Sequence, residues 1–200
     1  MLDNPMARPR QFDPDEALRT VTDVFWRLGY EGASMREIER ATGLNKQSLY
    51  RLLGDKRQMY LRSLGHYEEH DLAQVEALLQ EGGSASERFR RFFDLLIESA
   101  VRSNDRRGCF LCNASVDQAT LDARSQEKIS SIMDRMRTIF MNALAISPPY
   151  DTDETKREAL ASHLMSCHFG LRVLIKGGLP EAVLRQAAGA AIASIEEPAR

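Results

Sequence analysis

The sequence predicts an all-α protein, and three observations carry the prediction. Apolar residues recur at i, i+3 and i+4 through most of the 200 residues, the spacing that lines one face of a helix. No stretch sustains the period-two alternation of a half-buried strand. Helix start and stop signals punctuate the chain at helix-length intervals. The composition, 43% apolar and 28% charged, is that of an ordinary globular chain.

Each element has its own signature. Asp13-Pro14-Asp15-Glu16 supplies a cap, a first-turn proline and early acids. Ala17, Leu18, Val21, Val24, Phe25 and Leu28 follow on one face, and Gly29 is expected to end the helix in a left-handed conformation. Ser34-Met35-Arg36-Glu37 reads as a capping box. It opens a short helix that turns Ile38 and Ala41 inward and stops at Gly43. Asn45 caps a third helix reaching about Leu53, and Gly54-Asp55 separates it from a long helix, Lys56 to about Leu79. Five further helices are expected beyond the Glu81–Ser84 loop. They run from Ser86 to about Ser103, Phe110 to about Leu121, Ser125 to about Ala145, Thr152 to about Ile175, and Pro180 to about Ile195.

The net charge of −2 does not mark a nucleic-acid binder; the distribution of charge is more informative. Arg40, Lys46 and Arg51 are joined by no acid between them, and Lys56 and Arg57 follow. This cluster overlaps two short helices joined by Thr42-Gly43-Leu44-Asn45, the architecture of a helix-turn-helix. Ile38, Ala41, Leu44, Leu49 and Leu53 would face the first helix, leaving Lys46, Gln47, Ser48, Tyr50 and Arg51 outward. Long donors and small hydroxyls suit a major groove and its flanking phosphates. A three-helix bundle with a solvated polar face has the same pattern, so the residues alone leave both readings open.

Gly29-Tyr30, Ala33-Ser34-Met35-Arg36-Glu37-Ile38, Ala41-Thr42-Gly43-Leu44-Asn45-Lys46-Gln47-Ser48-Leu49-Tyr50 and Asp55-Lys56 together resemble the DNA-binding domain of the TetR family of bacterial repressors, of the AcrR-like kind. The resemblance spans Asp13 to about Tyr60. It implies a flexible arm at 1–12, a helix-turn-helix domain at 13–60, and a ligand-binding and dimerisation domain at 61–200. It further implies a homodimer on operator double-stranded DNA, released by a small-molecule effector. By the same resemblance, Ser34, Ser48, Tyr50 and Lys56 contact phosphates, Arg36, Lys46 and Gln47 read bases, and Arg51 supports them. Leu52 and Leu53 depart from the family's frequent aromatic residues, so Leu52 cannot donate to a phosphate. Arg8 and Arg10 could extend the contact as an arm, or form an unstructured tail.

In the C-terminal body the resemblance places a dimer interface on the last two helices, and the alanine-rich run around Gly189 suits close helix approach. Phe89, Phe93, Met133, Met136, Phe140, Met165, His168 and Phe169, with Phe92 and Tyr67, are candidate effector-pocket residues. They are equally what a helical core needs. Cys109 and Cys112 lie three apart behind Arg106-Arg107, a spacing open to thiol or metal sensing, with His163 and Cys167 as further ligands and His168 next to them. Buried cysteines acting as small apolar side chains are the alternative. No catalytic triad, phosphate-cradling glycine loop or metal-binding His-Glu helix is present in the sequence, which argues against a small helical enzyme and for no cofactor. No apolar run approaches the roughly 20 residues of a membrane span, and Met1–Arg10 lacks a signal peptide's apolar stretch. Both predict a cytoplasmic protein without a membrane partner.

Overall fold

In the computed structural model the described residues are 13–117 and 122–196, and they form helices with no strand among them. The arm at 1–12, including Arg8 and Arg10, lies outside the described residues.

The first helix, α1 (Pro14–Gly32), starts where the cap signal places it: Asp13 accepts from the Asp15 amide at 3.0 Å. Its regular part ends at Gly29, whose φ of 69° only glycine adopts without strain. The ψ of 177° differs from the expected left-handed cap, so the chain turns rather than winding back. Leu28 is 41% exposed, not in the core as its spacing suggested, because it lies beside this turn.

Helices α2 (Met35–Thr42) and α3 (Lys46–Leu53) follow. Met59 and Tyr60 join Val21, Phe25, Ile38, Leu44, Leu49 and Leu53 in the core that fixes them against α1. Ala41 is exposed, a correction to its expected inward position; the buried stripe of α2 passes through Ile38 alone, and Leu44 in the turn fills the next place.

The long fourth helix is interrupted. After α4 (Lys56–Tyr67) comes one π-helical turn, Glu68–Leu72, and then α5 (Ala73–Gln80). The buried stripe records the extra residue: it steps from Met59 and Tyr60 through Ser63, Leu64 and Tyr67, then five places to Leu72, then to Leu79. A π turn inside a helix commonly marks a functional position.

The body adds α6 (Ala85–Ser103), α7 (Phe110–Val116), α8 (Ala123–Leu144), α9 (Glu154–Lys176) and α10 (Glu181–Glu196). Ser84 and Glu87 form a capping box at α6, and Asp122 caps α8, so both helices begin slightly earlier than their apolar patterns indicated. Helix α7 is shorter than expected, ending at Val116.

Among the described residues, two of the seams that join the N-terminal helices to the body stand out. One is continuous helix through α4, the π turn and α5. The other is a direct contact of α1 with the loop before α7, which the sequence reading did not foresee. There the Trp26 indole donates to the Gly108 carbonyl at 3.2 Å, and Asn113 Nδ2 donates to the Trp26 carbonyl at 3.3 Å. Arg107 lies 4.5 Å over the Trp26 ring and pairs with Asp23 at 2.6 Å and Asp105 at 2.7 Å.

Candidate functional site

The outward face of α3 is set by its caps. Gly43 closes α2 in the left-handed region (φ 69°, ψ 7°). Asn45 then accepts from the Ser48 amide at 2.8 Å, a cap worth about 1 kcal/mol. The Lys46 amide donates to the Glu39 carboxylate, tying the start of α3 to α2. With Leu49 and Leu53 fully buried, the helix must present Lys46, Gln47, Tyr50 and Arg51 to solvent, with Ser48 half-buried beside them. The Lys46 ammonium sits 5.3 Å from the Tyr50 ring centre.

Ser34 caps α2, its hydroxyl oxygen accepting from the Glu37 amide at 3.2 Å. The reciprocal half of the expected box is missing, because the Glu37 carboxylate pairs with Arg40 instead. The Ser34 hydroxyl proton is not used by that cap, so the group can still donate to a phosphate. Arg36 projects from the first turn of α2 and is exposed.

Lys56 opens α4 behind an Asp55–Gln58 capping box. Its ammonium rests on the Tyr30 ring, 4.5 Å from the centre. A cation on a ring face is held in place without occupying a hydrogen-bond acceptor, so its three donors remain for a ligand. Tyr30 is therefore a supporting residue that the sequence reading named only within the motif. Arg57, next to it, is taken up in an ion pair with Asp122.

The body contains one cavity that matches part of the expected pocket. It holds about 240 Å³ between Tyr67, Asp71, α5, α6, Met136 and α9 and opens to solvent beside Leu95 and Ser99. Of the sequence candidates, Met136 and His168 line it, together with Phe92. Phe89, Phe93 and Phe140 are fully buried in the core and do not line the cavity, while Met133, Met165 and Phe169 are half-buried outside it. Asp71, Gln74 and Arg172 complete the wall and were not anticipated. Burial pushes the His168 imidazole down to about 3, with Arg172 adding to the effect, so it is neutral near pH 7. Burial raises the Asp71 carboxyl, opposed by the nearby Arg172 charge.

The cysteines are not gathered with the histidines, as the sensing alternative would need. Cys109 is 1% exposed; its sulfur caps α7 at 3.4 Å from the Cys112 amide and lies 3.4 Å from the Tyr67 hydroxyl. Burial pushes the thiols of Cys112 and Cys167 up. Arg107 is engaged by Asp23 and Asp105 and Trp26, so it is not a thiolate partner. Cys167 lies 3.5 Å from His163 on the exposed side of α9. Among the described residues no three His, Cys, Asp or Glu side chains are gathered as metal ligands. No described helix is long and apolar enough to cross a membrane.

The sequence profile of bacterial regulatory proteins of the tetR family matches residues 18–62. The uncharacterized HTH-type transcriptional regulator YezE of Bacillus subtilis (strain 168) is 27% identical over 175 residues, 86% of this chain and 90% of that protein. The HTH-type transcriptional repressor ComR of Escherichia coli (strain K12) is 30% identical over 107 residues, 53% of this chain and 51% of that protein. In structure the chain is similar to a cysteine mutant of the TetR family transcriptional regulator CifR bound to 26-bp double-strand operator DNA. That match has a TM-score of 0.78 at 27% identity and covers 94% of this chain and 99% of that chain.

Proposed function

We propose that this chain, which belongs to the TetR family of bacterial regulatory proteins, is a DNA-binding repressor that a small-molecule effector releases from its operator. The observation that carries the reading is the face of α3. Lys46, Gln47, Tyr50 and Arg51 are exposed together on a short, doubly capped helix, while Ser34 and Lys56 stand at two helix starts beside it. Lys46 and Gln47, with Arg36, are the base readers; Ser34, Ser48, Tyr50, Arg51 and Lys56 hold phosphates. Helix starts carry partial positive charge and free amides, which favours anions at those positions.

Two copies are needed to read two half-sites. The surface that would join them is the outer face of α9 and α10. Ala159, Ser162, Ser166, Gly170 and Val173 line it on α9, and Gly189, Ala190 and Ala193 on α10, all of them exposed. Small side chains let helices from two copies pack closely. A residue division at 13–60 and 61–200 assigns the first part to DNA and the second to dimer and effector, in a cytoplasmic protein. Sensing through Cys109 or Cys112 is the weaker reading, because burial shields the first and disfavours the thiolate of the second.

The test is selection of bound fragments from random double-stranded DNA, followed by titration at several salt concentrations. An inverted repeat and a steep loss of affinity with salt are expected. Binding without sequence preference would remove the repressor reading.

A further inference from the structure

The body cavity carries buried polar atoms that the fold leaves unsatisfied. His168 is 1% exposed and lines the cavity, and its Nδ1 has no hydrogen-bond partner. One turn along α9, Arg172 lines the same wall, and its Nε is buried without a partner. A buried polar atom left unpaired keeps its full desolvation penalty, and a guanidinium cannot discharge itself by losing a proton. Among the described residues no carboxylate stands within ion-pair distance of Arg172; Asp71 and Asp105 act on it only through longer-range attraction. The remaining wall is mixed: Val75, Leu78, Phe92, Leu96 and Met136 give it an apolar side, and Asp71, Gln74 and Ser99 a polar one. The His168 ring packs 5.2 Å from that of Phe92.

We propose that the cavity binds a small organic acid, a compact apolar body with one carboxylate, seated with the carboxylate against Arg172 Nε and His168 Nδ1. The proposal rests on the reading of this cavity as the effector site and adds the chemistry of the ligand. A volume of about 240 Å³ falls below the roughly 300 Å³ where drug-sized pockets begin, so the part of the ligand seated inside is small. A carboxylate supplies the countercharge that half-buried Arg172 lacks at ion-pair distance, and accepts from its buried Nε and from His168 Nδ1 in the tautomer with the proton there. A neutral carbonyl would satisfy the donors but leave the charge. An ammonium would be repelled by it.

The site also touches the helix that runs to the DNA-binding end. Asp71 sits on the π turn between α4 and α5 and lines the same cavity as Arg172, which attracts it at longer range. A ligand carboxylate beside Arg172 repels Asp71 and so acts on the helix that begins at Lys56.

Calorimetric titration of the full chain with phenylacetate, phenylacetamide and phenethylamine tests the proposal. Phenylacetate is expected to bind about ten-fold or more tighter than the amide, and the amine not to bind. In Arg172→Met and Arg172→Gln, checked for fold by circular dichroism, acid and amide should bind alike. Asp71→Asn, which keeps Arg172, should tighten acid binding several-fold by removing the competing carboxylate, and this holds the proposal open to test if both Arg172 variants unfold. Amide or amine binding as tight as the acid, failure of phenylacetate, cinnamate and octanoate alike to bind, or unchanged acid affinity in Asp71→Asn overturns it. Operator binding by the ligand-free chain is titrated separately, so failure of the acid preference and failure of the repressor reading are told apart.

Discussion

Lys46 and Lys56 carry the same charge but are held differently, and the difference sets what each can do. Lys56 is pinned on Tyr30 at the start of α4, a fixed charge suited to a phosphate. Lys46 leans toward Tyr50 on an exposed face, where it can reach a base edge. Lys56→Ala is expected to weaken binding to all sequences alike and to reduce the slope of log affinity against log salt by about one unit per protomer. Lys46→Ala or Gln47→Ala should instead change the selected sequence, at about 1–3 kcal/mol per lost contact. Repeating the DNA selection with each variant separates the two. The exposed face of α3 could be read from sequence because Gly43 and Asn45 announce its boundaries and Leu49 and Leu53 its buried side. Arg172 and Asp71 could not be found that way: each has the surface-compatible chemistry of many charged residues, and only packing turns them into a cavity. His168 offers a second test at this scale. Its imidazole is held at about 3 in the fold against 6.5 for an ordinary histidine. Below about pH 6.5 the unfolded chain takes up a proton that the folded chain refuses, so stability falls as pH drops toward 3 and is fully present above 6.5. The loss is on the order of 1.4 kcal/mol per pH unit. Denaturant unfolding of wild type and His168→Leu between pH 7 and 4 should show the steeper acid decline in wild type; parallel declines would place the imidazole in water.

At the scale of elements, caps were the most legible features and changes of helix type the least. Asp13, Ser34 and Asn45 each form the amide contact that their positions implied. The π turn is invisible to a reading at 3.6 residues per turn, because the apolar residues on either side of it remain helical in spacing, only one place out of phase. Helix α10 shows how a small-residue run hides two faces. Ala188 and Ala191 are buried with Leu184, Ile192 and Ile195, whereas Gly189, Ala190 and Ala193 are exposed. Neighbouring alanines therefore give different outcomes. Ala190→Glu is expected to leave the fold intact, convert dimer to monomer in sedimentation, and remove operator binding with it. Ala191→Glu puts a charge into the chain's own core, which requires burial of an unpaired carboxylate and should cost several kcal/mol of stability. A monomeric Ala190→Glu that bound operator with wild-type affinity would move the dimer surface elsewhere.

Across the whole molecule, the DNA-binding end meets the cavity's surroundings through α4 and, separately, through α1, and the proposed control would draw on both. Tyr67 lines the cavity, its hydroxyl lies 3.4 Å from the Cys109 sulfur, and the Gly108 carbonyl next in the chain holds the Trp26 indole of α1. Asn113 spans the same seam. Its amide nitrogen donates to the carbonyls of Trp26 and Arg107, at 3.3 and 2.9 Å, and its oxygen accepts from Lys176 on α9 at 2.9 Å. A ligand that favours one placement of α9 against α4 thus meets α1 as well as α4, and the spacing of two recognition helices depends on both. Spacing matters because operator half-sites lie at fixed separations, so a small displacement breaks several contacts at once. Coupling of this kind is reciprocal: an acid that lowers operator affinity by some factor must have its own affinity lowered by operator by the same factor. Asn113→Ala removes one contact across the seam, to the Trp26 carbonyl, and the two that fix Asn113 to Arg107 and Lys176 in the body, without touching the cavity wall or the α3 face. We predict that it leaves operator affinity and acid affinity, each measured alone, close to wild type, and shrinks the coupling factor equally in both directions. Titrations of acid with and without operator, and of operator with and without acid, give the two factors. Wild-type coupling in Asn113→Ala would show that the Asn113 side chain carries none of it, and leave the route to α4 and to the contacts of Trp26 and Arg107.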